Sequence, residues 1–259
     1  MRKAGQELPD DALEWAHITA QKSGQYADPV DIQLNYTLGA VHTTTLTFVA
    51  VFYNILANPE YVDLLRAEIV SVLNEGAGWS KQTMSRLRLM DSVMRESNRL
   101  HPSTLSRFPI PYPSHSPYAN WLCTTVVMNR VADRPQTFHD GLHIPKGATI
   151  TLLNTGHVNE ELYPNVEKFD GHRFLDEKQF VSTEPDYLPF GHGKHACPGR
   201  FFASNEIKVL LCHLLLGYDW KYPEGQGRPA VNHIGLDRTL DPTVKILYKA
   251  RTPEVPLVL

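Results

Sequence analysis

The sequence predicts a mainly α protein with small antiparallel β elements. An apolar stretch at 29–57, with no proline after Pro29, is long enough for one very long helix, and later segments carry apolar residues at helical spacing. The alternation of apolar and polar residues that is typical of β-strands is confined to 124–153 and to short runs near the end of the chain. With 259 residues, 42% of them hydrophobic, the chain is long enough for one large domain or two small ones and can bury a core. We expect a single domain, 1–259.

Charge and cysteine content narrow the possible classes of protein. A formal net charge of −3 leaves no cationic surplus, so we expect no nucleic acid partner. The three cysteines have no paired spacing and do not predict a disulfide framework. They fit a reducing compartment better than a secreted scaffold, so each cysteine has to be explained singly.

Two helices are predicted near the start of the chain, the first from capping residues and the second from the length of an apolar stretch. Asp10 and Asp11 can cap a short helix that runs to about Lys22. The stretch 29–57 predicts a second helix of roughly 40 Å. Its apolar window, 36–56, also has the length of a membrane span. Polar side chains are costly in hydrocarbon, so a long buried helix is the favoured interpretation. The polar residues that disfavour the span are His42, Thr43, Thr44, Thr45 and Thr47. We expect no membrane anchor in this chain.

Three more helices are predicted further along. Asn58-Pro59 opens an amphipathic helix that ends near Gly76. Another covers about 85–100 and stops before Pro102, because the residue before a proline disfavours helix. A last, strongly apolar helix covers about 198–216.

A small antiparallel sheet is predicted between these helices. Apolar and polar residues alternate along 124–153, as they do in β-strands. Asp140-Gly141 and Lys146-Gly147 are turn signals between such strands. Short strands near 244–249 end the fold.

The segment 189–199, PFGHGKHACPG, places one cysteine in a glycine-rich loop at the start of the last helix. Its glycines allow turns and close backbone approach that a Cβ would block, so a flat macrocycle has room against the loop, with Phe190 beside it. Amides at the N-terminus of the following helix stabilise negative charge, which favours thiolate over thiol at Cys197.

The spacing of Phe190, Gly193, Cys197 and Gly199 resembles the haem-ligand signature of the cytochrome P-450 family, and the segment is closely similar to fungal members. The resemblance implies the C-terminal part of that fold. It also implies haem b (iron protoporphyrin IX, heme b) as the cofactor, with Cys197 as the axial ligand of its iron.

Two other interpretations of the loop stay open. Cys197 is either a structural cysteine or, with His192 and His195, part of a zinc site that lacks a nearby fourth ligand.

Under the resemblance, His195 stands where the family often has an arginine, and Arg130 resembles the strand arginine that reaches a haem propionate. An ordinary solvated arginine is the alternative for Arg130.

Glu96 and Arg99 lie three residues apart, hence on one face of the helix at 85–100. By themselves they describe an exposed ion pair that contributes about 0.2–0.5 kcal/mol. Together with the cysteine loop they match the family's Glu-x-x-Arg motif. The resemblance implies a buried network completed by Arg173, whose role is to secure the core behind the haem.

Gly39 and the hydroxyl side chains that follow it predict a local widening of the long helix, because such hydroxyls bond back to i−4 carbonyls. The family's oxygen-activating helix carries a small-small-x-acid-Thr pattern, to which 39–43 corresponds with His42 in place of the acid. The resemblance implies that Thr43 hydrogen-bonds oxygen at the iron and helps to deliver protons, and His42 is capable of relaying them. Threonines packed in a core helix are the alternative.

The resemblance also implies a reaction and its partners. A haem-thiolate monooxygenase inserts one atom of O₂ into a small hydrophobic organic substrate and takes electrons from an NADPH-dependent reductase. The sequence resembles fungal enzymes of terpenoid or other secondary metabolism. This resemblance implies a full-length form on the cytosolic face of the endoplasmic reticulum membrane. The chain resembles about half of such a protein, so we expect a missing N-terminal half.

Residues 106–125 depart from the family, which passes quickly from helix to strand at this point. The segment holds four prolines and the unexplained Cys123. It is either a translated intron or an unusual surface loop. The rival hypothesis is therefore a non-catalytic, truncated product that folds poorly or binds haem without turnover.

Overall fold

The structure is a computed structural model that describes residues 10–24, 26, 28–76, 78–102, 126–153, 159–230, 232–234, 237–239, 241 and 243–257. The insertion expected at 106–125 lies outside the described residues. Contacts divide the chain into two compact units, 1–45 and 46–259, and each is described by itself.

The first unit is helical. Helix α1, Ala12–Ser23, begins where the carboxylate of Asp11 accepts a hydrogen bond from the Glu14 amide at 2.9 Å. It ends at Gly24, whose φ of 66° is the left-handed conformation that favours glycine after a helix.

The long helix is uninterrupted from Pro29 to Ala57, the bounds expected from the sequence. It consists of α2, Pro29–Thr37, a π-helical turn at Leu38–His42, and α3, Thr43–Ala57. By length and by a mean hydropathy of 1.4 it is, among the described residues, the one helix apolar enough to cross a membrane, and 44% of its most apolar window is buried. From position 46 onward α3 belongs to the second unit.

In the described part of the second unit, four further helices follow α3. They are α4, Glu60–Glu75; α5, Lys81–Ser85; α6, Arg88–Leu100; and α7, Arg200–Gly217. The helix expected at about 85–100 begins later because Leu87, with ψ 78°, separates it from α5. Apolar side chains of α3, α4, α6 and α7 meet in one core.

The described strands pair as two-stranded antiparallel ribbons. The pairs are β1, Val126–Val131, with β4, Thr149–Leu153; β2, Gln136–Thr137, with β3, His143–Ile144; β5, Tyr218–Lys221, with β8, Leu247–Ala250; and β6, Asn232–Ile234, with β7, Asp237–Thr239. The expected turns contain left-handed glycines, Gly141 with φ 88° and Gly147 with φ 84°. The single sheet expected over 124–153 is thus two ribbons, and the mainly α class with small antiparallel β elements is confirmed.

Helix α6 is buried on all sides. Eleven of its 13 residues are buried, and seven of those eleven are polar or charged: Asp91, Ser92, Arg95, Glu96, Ser97, Asn98 and Arg99. Because a buried polar group without a partner is costly, these side chains need partners from other segments. Their partners position the residues of the site.

Candidate functional site

The cysteine loop is closed by backbone hydrogen bonds. The Cys197 amide donates to the Phe190 carbonyl at 2.8 Å, and the Ala196 amide donates to the Gly193 carbonyl at 3.0 Å. At the exit of the loop, the Arg200 guanidinium donates to the Cys197 carbonyl at 2.7 Å. The backbone on both sides of the thiol is therefore held.

Two glycines of the loop adopt the left-handed conformation, Gly191 with φ 70° and Gly193 with φ 69°. A Cβ built on Gly193 would meet no atom within 4 Å, so the surface beside it is open. A Cβ on Gly199 would lie 3.9 Å from the Cys197 sulphur. The glycines therefore serve the turn of the backbone and leave free space next to it, as a flat group lying on the loop requires.

Phe190 ties the start of the loop to the core. Its ring packs edge-on against the buried ring of Phe180, with centroids 5.1 Å apart. Such aromatic pairs contribute about 0.5–1.5 kcal/mol beyond the burial of their area. The loop thus rests on the core through Phe190 while its tip, including Gly193 and His195, is exposed.

The two described cysteines differ in their surroundings. Cys197 is a free thiol and half-buried, whereas Cys212 on α7 is free and fully buried. Burial raises the pKa of Cys212 to about 12, which keeps that thiol protonated. Of these two, Cys197 is the thiol that a ligand can reach, and the open surface beside Gly193 fits a haem.

The zinc interpretation finds no support in the described part of the chain. No group of three or more His, Cys, Asp or Glu side chains there is arranged to hold a metal ion, and that part includes His192, His195 and Cys197. Both histidines are exposed. A thiolate that binds a haem iron needs no such group.

The structure brings Glu96, Arg99 and Arg173 together. Two nitrogens of Arg99 donate to the two carboxylate oxygens of Glu96 at 2.7 and 2.8 Å, and Arg173 Nε donates to Glu96 Oε1 at 3.1 Å. The side chains of Glu96 and Arg99 are both 0% exposed. The bidentate geometry within a dry core differs from the exposed ion pair that their spacing alone describes.

This network also holds the backbone of the segment that leads to the cysteine loop. Arg99 donates to the Val166 carbonyl at 2.8 Å, and the Asp170 amide donates to Glu96 at 3.1 Å. Gly171 lies in the same turn, where a Cβ would come within 2.5 Å of the Tyr61 ring and within 2.8 Å of Val93. The turn that carries Arg173 is therefore packed tightly against the core.

Sequence reasoning missed a second anchor on α6. Arg95, only 2% exposed, donates to the Gln179 carbonyl at 2.8 Å and to Glu184 at 2.7 Å, and it lies 3.9 Å from the centroid of the Tyr187 ring. Burial raises the pKa of Tyr187, whose hydroxyl donates to the Arg95 carbonyl at 3.0 Å. No local pattern in the sequence distinguishes this arginine from a solvated one.

Thr43 and His42 lie in the first unit, at the π-helical turn. The Thr43 hydroxyl donates to the Gly39 carbonyl at 2.6 Å, and the Thr45 hydroxyl donates to the Val41 carbonyl at 2.7 Å. The expected local widening of the helix is confirmed, with the expected i−4 bonds. Thr43 is half-buried and His42 is exposed.

The structure places the two predicted propionate donors on different elements. Arg130 is half-buried on β1 opposite Ile150 of β4, and His195 ends the short 3₁₀ turn Gly193–His195. Their role toward a haem propionate stays a prediction.

Comparison with known proteins assigns the chain to a family. A sequence model of cytochrome P-450 matches residues 28–109 and 123–246, which is most of the chain. This chain belongs to the cytochrome P-450 family. The matched ranges include the Glu-x-x-Arg pair and the cysteine loop, and they leave out 110–122, inside the expected insertion.

Two relatives that are similar in sequence to this chain are fungal cytochrome P-450 monooxygenases. The chain is 38% identical to cytochrome P-450 monooxygenase ntnM of Nectria sp over 93% of its own length and 44% of that protein. It is 36% identical to cytochrome P-450 monooxygenase calE of Penicillium decumbens over 95% of its length and 45% of that protein. The chain thus spans about half the length of the curated P-450 relatives it matches.

A solved structure shows the same fold. The haem domain of a cytochrome P-450 mutant superposes with a TM-score of 0.64 and 19% sequence identity, over 90% of this chain and 47% of that one. The ribbons and helices described above are therefore part of the cytochrome P-450 fold.

Proposed function

We propose that Cys197 is the thiolate ligand of a haem b iron, and that the chain is the haem-binding half of a monooxygenase. The observation that carries the proposal is the cysteine loop. A half-buried, free thiol lies in a glycine turn whose start is packed on the core and whose end opens the 18-residue helix α7. The open surface beside Gly193 supports a flat ligand there.

The loop also supports the charge that this role requires. Cys197 lies three residues before the first residue of α7, and the unpaired amides of a helix N-terminus favour negative charge. A thiolate ligand donates electron density and favours O–O cleavage, which distinguishes it from a histidine ligand. Haem b supplies the iron at which O₂ is activated when the cofactor is bound.

The remaining predicted residues receive supporting roles in this proposal. His195 and Arg130 are proposed as donors to the haem propionates, because both are cationic or hydrogen-bonding groups that suit carboxylates. Glu96, Arg99 and Arg173 are proposed to hold the segment before the loop and are assigned no contact with substrate. Phe190 and Gly199 shape the two ends of the loop.

Thr43 is proposed to deliver protons during O₂ activation. Its hydroxyl already donates to Gly39, so the bond fixes its direction at the point where the helix is widened. His42 is exposed at the end of the same π-helical turn and is proposed to pass protons to Thr43.

In the longer protein, a Thr43→Ala variant is expected to consume O₂ and NADPH while forming about a hundredfold less product, the lower end of the loss typical of removing one proton-transfer group. A Thr43→Ser variant keeps the hydroxyl and serves as the matched control. Measuring product formed per NADPH oxidised checks this, and an unchanged ratio in the alanine variant rules out the role of Thr43.

Substrate and partners are proposed from the relatives. Because the similar proteins are fungal monooxygenases, we propose a small hydrophobic organic substrate of secondary metabolism, such as a terpenoid. Electrons would come from an NADPH-dependent reductase. We propose the cytosolic face of the endoplasmic reticulum membrane as the site of the full-length form.

The first experiment is a carbon monoxide difference spectrum of the 259-residue chain loaded with haem, together with its metal content. We expect a red-shifted Soret band and iron in the protein, because thiolate ligation produces that shift. Bound zinc without haem absorbance would instead establish the zinc site. No such band would leave the family membership standing but would favour the rival hypothesis of a non-catalytic, truncated fragment, because the 259-residue chain would not form the haem site alone.

A further inference from the structure

Asp91 on α6 binds two segments at once through its two carboxylate oxygens. Oδ2 accepts the Phe180 backbone amide at 2.5 Å, and Oδ1 lies 2.6 Å from the Lys208 ammonium. The Asp91 side chain is 11% exposed and that of Lys208 is 4% exposed. This is a second buried ion pair of the unit, separate from the pair formed by Glu96 and Arg99.

Lys208 is held in this position by a second partner besides Asp91. Its ammonium also donates to the Met84 carbonyl at 3.1 Å, at the end of α5. A lysine that is 4% exposed is costly unless its charge is paired and its protons are donated. Asp91 and Met84 provide both, so the side chain fixes α7 against α5 and α6.

The two partners of Asp91 stand on opposite sides of the cysteine loop along the chain. Phe180 precedes the loop, and its ring supports Phe190 at the start of the loop. Lys208 belongs to α7, the helix that begins directly after the loop. One carboxylate therefore ties both flanks of the loop to the same point of α6.

We infer that Asp91 and Lys208 are positioning residues that set the orientation of the Cys197 thiol. The inference rests on the proposed function, in which Cys197 is the thiolate ligand. Since the segments before and after the loop are held to one carboxylate, a shift of either segment relative to α6 breaks a buried charged hydrogen bond. Neither residue is proposed to contact a substrate or to serve as a ligand.

A role in positioning is separable from a role in stability. Removing one partner leaves a buried, uncompensated charge and destabilises the fold, whereas replacing both by neutral side chains of similar size is often tolerated. The double variant Asp91→Asn with Lys208→Met therefore recovers stability. It keeps an acceptor for the Phe180 amide but loses the tie from α7 to α6.

The test is the alkylation rate of Cys197 in the haem-free chain, measured by iodoacetamide labelling and peptide mapping well below the unfolding temperature. Cys212 serves as the internal reporter of unfolding, because it is buried on the same helix as Lys208. Lys178→Met is the matched control, since Lys178 pairs with Glu184 but is 63% exposed. We compare the parent, this control, both single variants and the double variant.

We expect the double variant to alkylate Cys197 about fivefold faster or slower than the parent, because reactivity follows the local opening and surroundings of the thiol. Cys212 should stay unlabelled, and the control should match the parent. An unchanged rate at Cys197 in the double variant would overturn the inference. Labelling of Cys212 at the same pace would also overturn it, because the pair would then hold α7 as a whole.

This readout does not depend on the cofactor. If the chain fails to bind haem, the proposed function fails while the alkylation rates still decide the role of the pair. If haem binds, the double variant should also lose part of the red-shifted Soret band in favour of an unshifted one. An altered rate at Cys197 with no haem band in the parent would separate the two conclusions.

Discussion

Replacing Cys197 by serine is expected to abolish the red-shifted Soret band of the carbon monoxide complex completely. A serine hydroxyl is not ionised near neutral pH and is a poor donor of electron density, so the thiolate signature has no source in this variant. The loop should keep its shape, because the Cys197 backbone amide and carbonyl, which bind Phe190 and Arg200, are unchanged. Haem titration followed by reduction under carbon monoxide measures the effect.

A Cys212→Ser variant is the matched control for this experiment. Cys212 is buried within the core, so its replacement should lower stability without removing the band. A His192→Ala variant tests a histidine of the same loop to which no haem contact is assigned, and it should retain the band. If Cys197→Ser kept the band, or Cys212→Ser lost it, the assignment of the ligand would be wrong.

Replacing Glu96 by glutamine is expected to destabilise the protein by about 3–5 kcal/mol, the cost of breaking a buried pair by neutralising one partner. The loss is large because Arg99 would remain fully buried with its charge uncompensated, and Arg173 and the Asp170 amide would lose their charged acceptor. Urea unfolding of the chain, followed by circular dichroism, measures the free energy of unfolding. Arg99→Leu should give a loss of the same size.

The matched control is Glu75→Gln on α4. Glu75 pairs with Arg86, but the two side chains are 59% and 45% exposed, so solvent screens the pair and we expect no measurable loss. A Glu96→Gln variant as stable as this control would show that the buried network contributes nothing to the fold. The structural role assigned to the Glu-x-x-Arg pair would then have to be withdrawn.

Much of the local structure could be predicted from the sequence, because the decisive groups are neighbours along the chain. The N-cap of α1, the run of helix from Pro29 to Ala57 and the turns at Gly141 and Gly147 were all expected. The widening at Gly39 was expected as well, since hydroxyls on one helical turn meet the carbonyl four residues earlier.

Other features could not be predicted in this way. The alternation of apolar and polar residues over 124–153 predicts one sheet, yet the strands there form two ribbons. Strand pairing depends on which segments meet in the fold and not on the alternation alone. The gap between α5 and α6 at Leu87 was missed for a similar reason. There the backbone turns so that α6 can enter the core, where Glu68 on α4 accepts the Leu89 and Met90 amides at 2.6 and 2.9 Å.

The sequence by itself determined the cysteine loop, the Glu-x-x-Arg spacing and the length of the long helix, since each depends on residues close together in the chain. Only the tertiary structure decided that Glu96 and Arg99 are fully buried and that Asp91 meets Lys208. The physical reason is that a charge on a helix looks the same in sequence whether it faces water or the core. Its partners from distant segments decide whether burial is tolerated, and they are visible only once the chain is folded.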